Sequence, residues 1–253
     1  MKYRKVIWGL ITLFVFFILM QLTNYIYQNN SKTVAKSDHL IYFSNYKWVI
    51  KYSENQPIGP GWNYFSRDNV WVDEAGRLHL EITCSDDVCY CAEVYSIARY
   101  KYGRFIFQVS GDVINLDRNV VLGLFLYYDQ DHEIDVEVTR WGIKDFPNMQ
   151  YVVQPYYVHP PHRFHLKEAC LSIVYIIEWE PEKITFYTYT IGIYGEKRLV
   201  EKWTKKIKVR IPMRVHIDLW LIDKDKDGLG EKPSGDGTTH VIIEKVIMER
   251  LKD

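Results

Sequence analysis

The sequence is short of everything that marks a helical or nucleotide-handling protein. Beyond residue 27, no segment of ordinary helix length repeats its apolar residues at the 3.6-residue period. It has no Gly-rich phosphate loop, no dinucleotide fingerprint and no Ser-centred nucleophile elbow. Net charge is missing too: 32 Lys and Arg balance 32 Asp and Glu, so the basic footprint of a nucleic-acid binder is absent. Cysteine is scarce, with four in 253 residues. Cys84, Cys89 and Cys91 cluster in "CSDDVCYC", and Cys170 stands apart. That spacing matches none of the common paired zinc patterns. A disulfide from Cys84 to Cys89 or Cys91 would close a small hairpin loop, and free thiols are the alternative.

Aromatic residues are abundant. They make up 15% of the chain, with eight Trp and 20 Tyr, and such rings fill cores or form flat platforms for ligands with apolar faces. A hydrophobic content of 47% over this length supports one sizeable core.

The N-terminus concentrates the apolar residues. Lys2, Arg4 and Lys5 precede a run from Val6 to Met20 that continues with interruptions to Tyr27. About 20 helical residues cross a bilayer, so residues 1–27 are expected to be a signal anchor or a cleaved signal peptide. The bulky Tyr25, Ile26 and Tyr27, with no small-residue cleavage pattern, favour the anchor. Basic residues ahead of the span direct the downstream chain to the outside of the membrane. Residues 28–39 read as a polar tether, in which "NNS" from Asn29 fits a glycosylation sequon. Residues 40–253 read as a single domain.

In that domain the period is two. "GRLHLEIT" alternates through Leu78, Leu80 and Ile82, "YGRFIFQVS" through Phe105 and Phe107, and "KITFYTYT" and "RVHIDLWLI" alternate more weakly. "NVVLGLFLYY" is apolar throughout, as in a strand covered on both faces. Turn signals such as "EAG", "NLDRN", "PEK" and "DKDKDGLG" separate these runs. Many short strands at this spacing predict one all-β sandwich or barrel.

One strand has unusual chemistry. "HEIDVEVTRWG" puts Glu133, Asp135 and Glu137 on one face and Ile134, Val136 and Val138 on the other. Same-face neighbours lie about 6.7 Å apart, and two unit charges at that distance in water repel by only about 0.6 kcal/mol. A solvated face could therefore carry the triplet. On a concave, partly desolvated face the same residues become a machine for general acid–base and nucleophilic work, because crowded carboxyls are driven into different protonation states.

The wider sequence favours the second reading. "EIDVE" resembles the signature of glycoside hydrolase family sixteen in its regular-strand, licheninase-like form. Four further segments resemble that family in the same order: "GPGWNYFSRDNVWVDEAGRLHLEIT", "CAEVYSIARYKYGRFIFQV", "YVVQPYYVH" and "IIEWEPEKITFYTYTIGI". The segment "DLWLID" comes after them. The resemblance spans roughly residues 59–248. It implies a β-sandwich jelly roll that hydrolyses internal β-glycosidic bonds with retention, most readily a β-1,3 or mixed β-1,3/1,4-glucan. Carried over by position, Glu133 is the nucleophile, Glu137 the general acid/base and Asp135 the assisting residue. Asn63, Glu93, Tyr156 and Trp220 are expected to line the glycan cleft, with Trp220 stacking on a sugar ring. Tyr157, on the opposite face from its neighbour, is expected to point away.

The chain departs from the family at Asp131, His132, Tyr95, Pro155 and Asp218, all at or beside sugar-contacting positions. Those departures keep a non-catalytic, lectin-like glycan-binding module open as the alternative, with transglycosylation as a variant of the enzymatic reading. No cofactor is implied, although the family leaves room for a structural calcium held by backbone carbonyls. "HPPHRFH" spaces His159, His162 and His165 by three, but its prolines exclude the helix that would align them on a metal. "DKDKDGLG" begins like a calcium loop, yet Ser234 stands where an EF-hand needs Glu. A polysaccharide is the expected partner of a monomeric domain held at the cell membrane by its N-terminal segment, or secreted if that segment is cleaved.

Overall fold

The computed structural model describes residues 39–54, 56–86, 88–167, 170–223, 230–234 and 239–251. The expected anchor at 1–27, most of the tether at 28–39, and the body of "DKDKDGLG" lie outside these residues. Among the described residues no helix is long and apolar enough to cross a membrane. Their helical pieces are two 3-10 turns, Arg67–Asn69 and Gly111–Asn115.

The regular structure is otherwise β. In chain order the strands are β1 (Leu40–Phe43), β2 (Tyr46–Ile50), β3 (Tyr64–Phe65), β4 (Val70–Val72), β5 (Leu78–Ser85), β6 (Val88–Tyr100), β7 (Gly103–Ser110) and β8 (Val120–Asp129). They continue as β9 (His132–Val138), β10 (Met149–Val153), β11 (His162–Phe164), β12 (Ser172–Trp179), β13 (Lys183–Ile191), β14 (Lys197–Lys206), β15 (Met213–Leu221) and β16 (Thr239–Arg250).

Strand pairing runs β11-β10-β9-β8-β15-β6-β5-β16-β7-β12-β13-β14. The path turns over where β6 meets β5, because only Thr83–Ser85 pair with Val88–Tyr90 there. One layer carries β9 at its heart and the other carries β7 and β12. Between them lies the core: Phe105, Phe107, Tyr175, Ile177, Trp179 and Phe186 on one side, and Leu122, Leu124, Ile134, Val136, Ile217 and Leu219 on the other. This is the antiparallel two-layer sandwich that the period-two pattern predicts.

Local chemistry explains the details that bear on the site. β8 is buried along most of its length, because Leu122 and Leu124 enter the core while Gly123 and Phe125 floor a cavity on the opposite face. The β5–β6 hairpin is tied by a Cys84–Cys89 disulfide, which settles the choice between the two pairings. Cys91 is instead buried, and its thiol donates to Asn63 Oδ1 at 3.4 Å. In the "EAG" turn, Gly76 adopts φ +78° and its N–H reaches Asp73 O at 2.9 Å, a conformation that favours glycine.

Phe107 is fully buried between the layers. Phe107→Ala is expected to cost about 3–5 kcal/mol, read as a lower urea midpoint with unchanged slope.

Candidate active site

β9 is the centre of the concave layer. Its core face buries Ile134, Val136 and Val138 completely or nearly so, which fixes the strand's rotation and turns Glu133, Asp135 and Glu137 to the other side. That side is not wet: Asp135 is 4% exposed and Glu137 8%. Two cavities, of about 400 and 830 Å³, meet at the three carboxyls.

Strand register arranges the surrounding side chains in rows. Glu137 pairs with Gln150 on β10 and Gly123 on β8; Gly123 pairs with Asp218 on β15, and Asp218 with Glu93 on β6. Arg163 on β11 pairs with Gln150, and Lys51 N bonds Glu93 O at 2.9 Å. A single row therefore runs Arg163, Gln150, Glu137, Gly123, Asp218, Glu93, Lys51, with a cation at each end. The next row is largely apolar and aromatic: Val152, Asp135, Phe125, His216 and Tyr95. His216 stacks between Phe125 and Tyr95, at 5.0 and 5.3 Å.

Hydrogen bonds fix these groups. Gln150 donates its amide to Glu137 and accepts from Arg163 Nε at 2.9 Å. Lys51 Nζ lies 2.5 Å from Glu93 Oε2, and His216 Nδ1 lies 2.9 Å from Glu93 Oε1. Gly123 N–H donates to Asp218 Oδ1 at 3.0 Å. A side chain at Gly123 would put its Cβ 2.4 Å from that oxygen, so the row needs glycine there.

The electrostatics follow from burial and crowding. Burial, with the charge of Glu137, pushes Glu133 up to about 8. Burial and the flanking Glu137 and Glu133 drive Asp135 well above the carboxylate range, and its bond to Glu137 has Asp135 as the donor. Burial also raises Glu137, opposed by the Gln150 amide, by Asp135 and by the charge of Arg163. Asp218 is raised by burial and by Glu93. Glu93 goes the other way: burial opposes its charge, but His216 and Lys51 hold it below the usual range. The cluster thus holds protons at neutral pH while keeping one carboxylate ionised. Asp135 Oδ1 is buried with no hydrogen-bond partner among the described residues.

The expected cleft residues are placed unevenly. Glu93 and Trp220 line the larger cavity. Trp220 is half-buried, edge-on to Trp141 at 6.0 Å, with Gly61 pressed against its ring. Tyr156, 61% exposed, borders both cavities. Tyr157 also borders the larger one, contrary to the strand alternation expected of it. β10 ends at Val153, and the chain enters a turn in which Val158 and His159 N–H groups both bond Pro155 O, so alternation no longer applies. Asn63 lines neither cavity. It is 2% exposed, and its amide donates to Pro60 O at 2.9 Å and Leu221 O at 2.7 Å, pinning the rim loop to β15.

Several site residues escaped the sequence reading: Lys51, Gln150, Val152, Gln154, Arg163 and His216. For Gln150 and Gln154 a signal existed, since in "MQYVVQ" they are four apart, a spacing that puts two residues on one face of an extended chain. His162 pairs with Glu201 at 3.3 Å and stacks on Trp203, away from the cavities. Among the described residues no group of three or more His, Cys, Asp or Glu is arranged to hold a metal.

No protein-family model matches the sequence, and no curated protein matches it. Solved structures do. A Bacillus licheniformis β-glucanase shares 17% identity over 88% of this chain and 97% of its own, with a TM-score of 0.58. The fold is that of glycosyl hydrolases of family sixteen. A member of that family from Mycobacterium smegmatis aligns at 16% identity over 84% and 93% of the two chains, with a TM-score of 0.56. A protein of Mycobacterium tuberculosis, described as an immunostimulatory antigen and pseudo β-1,3-glucanase, aligns at 13% identity over 81% and 91%, also at 0.56. At these identities the likeness is one of fold.

Two outcomes test this geometry. Asn63→Ala leaves two backbone carbonyls without their donor and is expected to lower stability by about 1–3 kcal/mol, measured by urea unfolding. Glu133 carries a proton in the folded state that the unfolded chain releases near 4.5, so stability falls as pH rises from about 4.5 to about 8. Glu133→Gln removes that penalty. The variant is expected to be more stable than the parent by roughly 1–3 kcal/mol at pH 8 and indistinguishable below pH 4.5, in thermal melts across pH.

Proposed function

We propose that the protein is a glycoside hydrolase that cleaves internal β-linkages of a polysaccharide with retention of configuration. The leading substrate is a β-1,3 or mixed β-1,3/1,4-glucan. One observation carries this reading: three carboxyls of one strand face, Asp135 and Glu137 buried and Glu133 half-buried, stand where two cavities of a concave sheet meet. A solvated face would leave those groups exposed and ionised.

The chemistry assigns each group a task. Glu133, as carboxylate, attacks the anomeric carbon while Glu137, as acid, gives its proton to the leaving oxygen. Glu137 then takes a proton from water, which attacks the covalent intermediate and releases Glu133. The first step requires a proton to move within the trio, because Gln150 favours the ionised form of Glu137 and burial favours the neutral form of Glu133. In the second, Glu133 is esterified and Glu137, having given up its proton, is already the base. Asp135, already protonated and bonded to Glu137, is placed to pass its own proton to Glu137 while taking the one that Glu133 gives up. Trp141, Trp220, Tyr156 and the Tyr95–His216–Phe125 stack supply apolar surface along the cleft for sugar rings. An acceptor sugar in place of water would make the same intermediate a transglycosylation.

A second reading has its own support. Both oxygens of Glu93 are already engaged, by Lys51 and His216, and one protein of this fold is described as a pseudo-glucanase. These features suit a surface module that binds glycan without cutting it. In either case placement outside a membrane rests on residues 1–27 alone, where basic residues precede the apolar run.

Reducing-end release from a panel of β-glucans and algal galactans decides between the two. Release is expected from at least one β-glucan, and Glu133→Gln should lower it by roughly 10³-fold or more, since an amide cannot replace the attacking carboxylate. Binding to a glycan with no release from any of them would establish the binding module instead.

A further inference from the structure

Arg163 is more than a surface cation at the cleft edge. Its guanidinium lies over the Phe146 ring at 5.3 Å, and its Nε–H donates to Gln150 Oε1 at 2.9 Å. Gln150 is 4% exposed, and its amide N–H group donates to Glu137 Oε2. A glutamine side chain can present either end to a neighbour, and the two ends have opposite effects. The N–H end stabilises a carboxylate, whereas the oxygen end accepts only from a protonated carboxylic acid. An Arg has no acceptor, so its bond can be made only with the oxygen of Gln150. That bond therefore decides which end meets Glu137.

We infer that Arg163 is a positioning residue for Glu137, locking the Gln150 amide in the orientation that favours the ionised, proton-accepting form. The inference rests on the proposed role of Glu137 as the acid/base. Other charged groups around Glu137 do not provide this. On its own strand Glu133 and Asp135 are acidic, β15 contributes Asp218, β6 contributes Glu93, and β8 places Gly123 beside it with Tyr127 further along. Lys51, at the far end of the row, is spent on Glu93. Arg163 is the cation acting on Glu137.

The functional consequence concerns the second half-reaction, in which Glu137 must be a base. With Arg163 removed, Gln150 is free to turn its oxygen to Glu137, the acid form gains, and the whole trio holds its protons to higher pH.

The test is ¹³C-carboxyl NMR titration of Glu137 in the unliganded protein, in the parent, Arg163→Met, Gln150→Met and the double variant. Methionine keeps the aliphatic cover on Phe146 while removing the donor. Arg163→Met is expected to raise the proton affinity of Glu137 about tenfold, the low end of what a neighbouring opposite charge does to a carboxyl. In the Gln150→Met background the same change is expected to produce a clearly smaller shift, the part due to the charge of Arg163 alone. An unmoved midpoint overturns the inference. So does a shift of equal size with and without Gln150, which would mean the charge acts directly through space. If the protein hydrolyses a glucan, its pH–rate profile should move to higher pH in Arg163→Met by the same factor. If it hydrolyses none, the proposed function fails while the titration still decides the role of Arg163.

Discussion

Three carboxyls on one face of a strand, turned into a partly desolvated cleft, are the constraint to which the rest of the concave layer answers. In water they would cost little; with Asp135 and Glu137 at a few per cent exposure and Glu133 half-buried beside them, they cannot all be charged. The cluster around Glu137 meets the problem in three ways. Some charge is neutralised by protonation at Glu133, Asp135 and Asp218. Glu93, the one member held in its charged form, is clamped by Lys51 and His216. Glu137 lies between these extremes, raised by burial and lowered by Gln150 and Arg163. Cations sit only at the two ends of the row, where they moderate the acids without occupying the cavity between.

The opposite face of β9 makes this arrangement tolerable. Ile134, Val136 and Val138 are locked into the core against the second layer, so the carboxyls cannot rotate away to find water without exposing those residues. A register slip of one residue would exchange the two faces entirely. The stability of the sandwich thus holds a locally unfavourable cluster in place, as is common where chemistry is performed. Gly123 belongs to the same logic: only a residue without Cβ lets Asp218 approach the β8 backbone and leaves open space beside Glu137.

Much of this was legible along the chain, and the reason is physical. Period-two alternation is local, so "FIFQV", "LHLEI" and "EIDVEV" declare strands and faces without knowledge of their partners. The turn at Gly76 is equally local. Pairing is not local. Nothing in the sequence near Arg163, Gln150 or Lys51 says that they fall in line with Glu137, because that depends on the registers of β11, β10 and the segment after β2. Asn63 shows the converse: a residue identified by motif uses its amide to fasten backbone carbonyls. Tyr157 shows where alternation ends, one turn beyond the last paired residue of β10.

The amino-acid sequence by itself determined the all-β class, the faces of the strands and the identity of the three carboxyls on one side of β9. Those features come from the two-residue repeat of an extended chain. Only the tertiary structure decided that this side is a buried cleft rather than a wetted sheet, which groups keep their protons, and which amide and guanidinium set the state of Glu137. Burial and proton affinity are properties of what surrounds a group, and here the surroundings come from β6, β8, β10, β11 and β15, which only folding brings beside β9.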